Sequence, residues 1–290
     1  MPLDQPKLDY ESDSEAESTD GTEMSFLDHL EALRWHIIRA AAAIIVFTVL
    51  AFVFLEQIYN KVILGPARPS FWTYRMFCKL GEFVHAPGLC IDKLDFKLIS
   101  FQMSGQFSMA MLSSFIIGLV FTFPYAFWEV WRFVAPGLKP SERRAARGAV
   151  FYVTMLFFIG VLFGYYVVSP LAINFLANFK IDESIINQFD IGSYISVLAT
   201  LTLACGLTFQ LPMIVLVLSQ VGILTPSFMR EYRRHAYVII LILSGVITPS
   251  PDLTSQILVA APLTLLYEVS IGVSARVNKR RMRELGMNEA

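Results

Sequence analysis

Two acidic positions stand out because each sits among bases beside a long apolar run. Glu142 lies in Phe133-Val-Ala-Pro-Gly-Leu-Lys-Pro-Ser-Glu-Arg-Arg144, a charged segment that also holds Lys139, Arg143 and Arg144, with Arg147 just beyond. Asp28 and Glu31 lie in Ser25-Phe-Leu-Asp-His-Leu-Glu-Ala-Leu-Arg34. A carboxylate accepts a guanidinium through a planar two-point fork, and arginine keeps its charge throughout. Two such acids at one surface suit a ligand that carries paired arginines. Taken alone, Glu31 reads better as one member of a solvated polar helix face.

The chemistry that is missing narrows the field. The four histidines, His29, His36, His85 and His235, fall at loops or helix ends, and Ser244-Gly245 lacks the leading glycine of a Gly-x-Ser-Gly nucleophile. An intramembrane serine protease therefore fails. No Gly-x4-Gly-Lys-Ser/Thr phosphate loop and no metal-ligand spacing occur. The expectation is no catalytic residue, no metal, no cofactor and no nucleic-acid partner: not an enzyme. A six-helix secondary transporter of a small solute is the alternative. It would show two similar halves with interrupted helices, and the two halves here differ in spacing.

The elements that must hold these residues are membrane helices. The chain is 55% hydrophobic and 16% charged, with mean hydropathy +0.56, a departure from soluble domains toward the membrane class. Six apolar segments, about 37–55, 104–128, 149–171, 195–221, 236–247 and 253–273, are each bounded by charge or turn residues. A spanning helix needs about 20 apolar residues. The fifth segment falls short of that before the break at Thr248-Pro-Ser-Pro251, and a short span is accommodated by local bilayer thinning or by packing on protein. Pro124 is expected to bend the long second segment. Before segment one, Ser25 and Asp28 resemble a capping box, and Phe26, Leu27, Leu30 and Leu33 give an apolar face to a short interfacial helix.

Charge sets the orientation. Arg34 and Arg39 flank segment one, Lys139 to Arg147 join segments two and three, and Arg230, Arg233 and Arg234 join four and five. The end of the chain is basic, with Arg276, Lys279, Arg280, Arg281 and Arg283. The positive-inside rule places both termini in the cytoplasm. Residues 1–23 hold Asp4, Asp9, Glu11, Asp13, Glu15, Glu17, Asp20 and Glu23, a composition that reads as a disordered acidic tail. The first apolar run follows this acidic stretch, so no cleavable signal peptide is expected.

Cys78 and Cys90 fall in the long outer loop, 56–103. There they form either a bridge, worth about 3 kcal/mol of loop-closure entropy, or two free thiols; an oxidising compartment favours the bridge. Cys205 reads as a small packing residue. Gln210 is an uncharged polar residue inside segment four, either functional or a hydrogen-bonding tie between helices. Its amide cannot titrate, which excludes a proton relay through it. Glu268 reads as an interfacial carboxylate near the end of segment six, and Glu129 with Arg132, three residues apart, as a local ion pair.

Four motifs then resemble one family. Phe-Leu-Asp-His-Leu-Glu-Ala-Leu-Arg34, the 133–144 segment, Cys205-Gly-Leu-Thr-Phe-Gln-Leu-Pro212 and Thr248-Pro-Ser-Pro-Asp-Leu-Thr-Ser-Gln256 occur in order and in register with the spans, and are similar to the TatC family of twin-arginine translocase subunits. The resemblance runs from about Met24 to Arg276. It implies an all-α membrane protein of six transmembrane helices, a concave bundle with a short fifth/sixth helix hairpin, in the bacterial inner membrane. The layout is an acidic tail over 1–23, the membrane domain over 24–276 and a basic cytoplasmic tail over 277–290.

By resemblance the chain binds twin-arginine signal peptides of folded proteins and assembles, as an oligomer, with small TatA/TatB-like single-span partners, with export driven by the proton-motive force. Glu142, Arg143 and Arg144 match the family's signal-binding turn, shaped by Phe133, Pro136 and Leu138. Arg34 matches the amino-terminal arginine, Pro66 an outer-loop proline and Asp252 the outer-face acid of the last hairpin. Two positions depart from the family. Ala32 stands where a second acid is usual, leaving Glu31 about 100° around the helix, and Gln210 stands where glutamate is frequent. The expectation is weaker reliance on the amino-terminal helix and greater reliance on Glu142.

Overall fold

The computed structural model describes residues 26–84, 96–134, 148–182, 187–248 and 253–284. The first helix, α1 (Phe26–Val53), lies against α4 (Gly105–Val134). At their crossing a Cβ on Gly118 would sit 2.5 Å from Thr48 Oγ1 and 2.7 Å from the Thr48 backbone nitrogen, so only glycine lets the two backbones approach. Lipid tails are as apolar as leucine, which leaves close van der Waals packing between small residues to hold membrane helices together.

The same device recurs farther along. Helix α5 (Ala149–Phe163) crosses α7 (Ile191–Thr208) through Gly160, whose added Cβ would stand 2.7 Å from the Cys205 carbonyl oxygen, and through Gly164, 2.9 Å from Thr202 Cα. After α5 the chain widens into a π-helical turn, Gly164–Val168, and continues as α6 (Ser169–Asn178). Pro170 accounts for the widening: it has no N–H to offer the Tyr166 carbonyl, and its ring pushes on that turn. Thr73 Oγ1 donates to the freed Tyr166 oxygen at 2.5 Å.

Segment four of the sequence is two helices. α7 is capped by Asp190, whose side chain accepts from Gly192 N. The chain breaks at Phe209–Gln210 and resumes as α8 (Leu211–Val221), with Pro212 in its first turn. Gly222, at φ 88°, closes α8, and Ile223 N reaches back to Leu218 O at 3.0 Å, the left-handed glycine stop. The short α9 (Pro226–Glu231) leads to α10 (Arg233–Ile247) and then α11 (Leu253–Glu284).

Among the described residues, five helical stretches are long and apolar enough to cross a membrane: Leu33–Val53, Gly105–Val134, Val150–Asn178, Ile191–Ser219 and Gln256–Lys279. α10 is not among them; its 15 residues rise only about 22 Å against a hydrocarbon core of about 30 Å. The shortness expected of the fifth segment is therefore real. Its partner differs: α11 has 32 residues and runs unbroken past Arg276 and Lys279. Gln256 Nε2 donates to the Leu241 carbonyl at 2.9 Å across this hairpin. The main core joins Val168, Leu201, Cys205, Phe209, Ile240 and Leu263, which brings α7, α10 and α11 to one cluster, while α11 packs chiefly along α8 and α10.

The end of the bundle opposite the basic turns is tied by tyrosine hydroxyls. Helix α2 (Leu55–Ile58) passes into a π-helical turn, Tyr59–Ile63, whose Val62 carbonyl takes the Gly65 N–H at 3.1 Å as the chain turns away. Tyr165 OH donates to Val62 O at 2.6 Å and Tyr194 OH to Ile63 O at 2.7 Å. Tyr74, on α3 (Trp72–Val84), donates to Pro66 O at 2.8 Å and also reaches Pro170 O at 3.2 Å. Burial holds the Tyr74 phenol neutral well above the usual tyrosine range. Two short parallel strands, β1 (Lys97–Ile99) and β2 (Gln188–Asp190), close this end, with Lys97 opposite Gln188.

Candidate functional site

At the basic end, α1 and α4 meet through charged and aromatic side chains. Glu31 and Arg34 are exposed on the first turns of α1. One turn on, His36 Nδ1 lies 2.5 Å from Glu129 Oε2 on α4, and Tyr125 OH donates to Glu129 Oε1 at 2.9 Å. Phe133 packs edge-on against the His36 ring, with centroids 6.2 Å apart. Glu129 is only 1% exposed, and a buried carboxylate persists only when paired and hydrogen-bonded.

The Glu129–Arg132 ion pair expected from the sequence does not form. Glu129 turns into the α1–α4 interface, while Arg132 stays exposed and stacks its guanidinium 4.9 Å above the Trp128 ring, a cation–π pair at helical i, i+4 spacing. His36, a helix-end histidine in the sequence, is the partner instead. A sequence signal for it exists: Ala110, Ser114, Gly118 and Thr122 repeat every four residues along α4 toward Glu129, marking a small, polar face that needs a partner.

A second carboxylate cluster lies across the same end. Glu268 on α11 takes Arg233 Nη2 at 2.7 Å and the Tyr237 hydroxyl, both on α10. Glu268 is thus already engaged, and its role is to join the short helix to its neighbour. Nearby, Ser219 donates to Ser274 at 2.8 Å and Tyr267 to Met229 O at 2.8 Å, tying α8 and α9 to α11.

Gln210 heads α8 at the break in segment four. Its Nε2 donates to Val153 O on α5 at 3.2 Å, while its Oε1 is buried with no hydrogen-bond partner among the described residues. Among the described residues it acts as the tie between helices. Cys205 is a free, buried thiol in the core, and Cys78 is disulfide-bonded. Cys90, Pro136, Leu138, Glu142, Arg143, Arg144 and Asp252 lie outside the described residues. Among the described residues no group of three or more His, Cys, Asp or Glu gathers as a metal cage. A small apolar cavity of ≈ 180 Å³, lined by Phe96, Ile173, Phe189 and Tyr194, lies at the opposite end, beside the strands.

Apolar spans, glycine crossings and charge confined to the helix ends define a multi-pass α-helical membrane protein. Residues 28–262 match the family model for Sec-independent protein translocase protein (TatC), and the chain belongs to that family. It is 37% identical over 261 residues to the TatC of Blattabacterium sp. subsp. Periplaneta americana, covering 89% of this chain and 98% of that one. It is 32% identical over 251 residues to the TatC of Carboxydothermus hydrogenoformans, covering 87% and 93%. It is also similar to a solved structure described as the crystal structure of twin arginine translocase receptor TatC, with TM-score 0.64 and 27% identity over 86% of this chain and 99% of that one. The protein is accordingly a multi-pass translocase component of the bacterial inner membrane.

Proposed function

We propose that this chain is the receptor subunit of a twin-arginine translocase, binding twin-arginine signal peptides of folded proteins at its cytoplasmic face. Both termini lie in the cytoplasm, as the basic turns require. Glu142 is the principal carboxylate for the paired arginines, flanked by Arg143 and Arg144 and shaped by Phe133, Pro136 and Leu138; Glu31 and Arg34 form a second, weaker arm. TatA/TatB-like single-span proteins assemble with it, and the proton-motive force drives transport.

One observation carries this reading. The exposed Glu31 arm of α1 is packed, through His36 and Phe133, onto the last turn of α4, directly before the segment that holds Glu142. Two acid-bearing arms therefore emerge from one helix pair, which suits a short cationic peptide. The Gln210 amide hydrogen-bonds a backbone carbonyl, which supports a helix-joining role there rather than a proton relay.

Photo-crosslinking of a twin-arginine peptide in membranes, with a twin-lysine peptide as control, tests it. A hydrogen bond to a charged group contributes about 1.5–3 kcal/mol, so Glu142→Gln lowers peptide affinity by about 10- to 150-fold. Glu31→Gln has a smaller effect, because Ala32 has already removed one acid from that arm. Equal labelling by the two peptides would overturn the receptor assignment, and equal losses in the two variants would overturn the ranking of the carboxylates.

A further inference from the structure

We infer that His36 and Glu129 are positioning residues for signal-peptide recognition: they form a clasp that fixes the Glu31 arm of α1 against the end of α4 that leads to Glu142. This inference rests on the receptor reading above. Neither residue need touch the peptide. Both oxygens of the Glu129 carboxylate are taken, one by His36 and one by Tyr125, and the residue is 1% exposed.

The geometry of α1 gives the clasp its importance. Of the long helices, α1 packs chiefly on α4, and Ile37, Ile38, Ile45, Val49 and Val53 remain exposed on its other faces. Its close backbone contact at a glycine is Thr48 on Gly118, and Thr122 Oγ1 donates to the Ala43 carbonyl at 3.4 Å between that crossing and the clasp. His36 lies about 18 Å along the helix from that crossing, and Glu31 about 25 Å. With the crossing as a pivot, a tilt of about 10° carries Glu31 through about 4 Å, as far as the full reach of an ion pair. The clasp removes that freedom. A buried hydrogen-bonded carboxylate contributes little net stability but is well suited to fixing register, because Glu129 left without its partner is a costly buried charge. Arg39 on α1 and Arg132 on α4 add positive charge around the pair, and Phe133 covers the imidazole.

The test uses the full chain in membranes, with a photo-crosslinker at Leu27 on the α1 arm or at Ser141 beside Glu142. The readout is the ratio of twin-arginine peptide captured at the two positions, with the thermal midpoint measured alongside. His36→Leu is expected to lower the Leu27:Ser141 ratio at least fivefold, and His36→Arg, which again offers Glu129 an N–H donor, to restore it. A purely structural role would change both positions together and leave the ratio constant. Should His36→Leu fail to fold, Glu129→Gln serves as the second variant with the same expectation. An unchanged ratio, or no rescue by arginine, overturns the clasp. The receptor reading fails separately: the unsubstituted protein would then capture twin-lysine and twin-arginine peptides alike at Ser141.

Discussion

A single methyl group at the α5–α7 crossing should cost more than the helix gains from it. In Gly160→Ala the new Cβ would lie 2.7 Å from the Cys205 carbonyl oxygen, 2.8 Å from Phe209 Cβ and 2.9 Å from Gly206 Cα. Carbon atoms settle at about 3.5–4.0 Å from one another, so α5 and α7 must part by about 1 Å. Two of the three obstacles are backbone atoms of a helix and cannot rotate away. Overpacking of this kind costs about 1–3 kcal/mol, while replacing a helical glycine by alanine returns about 1 kcal/mol of propensity. Gly272, on α11, supplies the control, since nothing lies within 4 Å of its added Cβ. Gly272→Ala carries the propensity gain alone, so the difference between the two variants isolates the crossing at about 1–3 kcal/mol. Denaturant unfolding of both variants in one detergent, followed by circular dichroism, measures it. The expected order is Gly272→Ala at or above the parent and Gly160→Ala below it. Coincident midpoints for the two variants would refute the argument that glycine at 160 is there for backbone approach.

Three further outcomes follow from particular contacts. Gln210→Leu gives up one hydrogen bond, worth about 0.5–1.5 kcal/mol, and removes a buried unpartnered oxygen that costs about 1–3 kcal/mol; the same unfolding assay should find it neutral to slightly stabilising, and a clear loss would mean that Oε1 has a partner in the bilayer. Tyr74→Phe strips a donor from the Pro66 and Pro170 carbonyls and should destabilise by about 1–3 kcal/mol, read as a lowered unfolding midpoint. Cys205 is 2% exposed, so maleimide should leave it unlabelled in the folded protein and label it after denaturation, as mass spectrometry reports; rapid labelling without denaturant would contradict its place in the core.

Spans were legible in the sequence because bilayer thickness imposes a length and an apolar composition that need no partner to interpret. The shortness of α10 was legible for the same reason. The break at Phe209–Gln210 was not, although Pro212 marks it, because an unbroken apolar run over 195–221 masks a proline that costs little at the start of a new helix. Glu129 was misassigned to Arg132 because local spacing proposes only neighbours, whereas its partner His36 lies 93 residues away in the chain. Gln210 was found as a polar residue in an apolar segment, but its acceptor, the Val153 carbonyl, is a backbone atom with no signature in sequence. The same holds for the tyrosine ties, which all end on main-chain carbonyls.

Those ties have a mechanical consequence. Tyr74, Tyr165 and Tyr194 fasten one end of the bundle with hydroxyl-to-carbonyl bonds that carry no net charge. At the other end the ties end on carboxylates: His36 on the buried Glu129 and Arg233 on the partly exposed Glu268. Ionic strength acts on exposed charges and hardly at all on neutral bonds. The molecule is therefore unevenly sensitive to electrolyte: the tyrosine end and the buried His36–Glu129 contact stay clamped whatever the salt, and the exposed Arg233–Glu268 pair, which holds the short α10 to α11, is the tie that salt can loosen. Raising the salt concentration should therefore speed backbone amide exchange at the start of α10 while leaving α1 and the tyrosine-tied end unchanged.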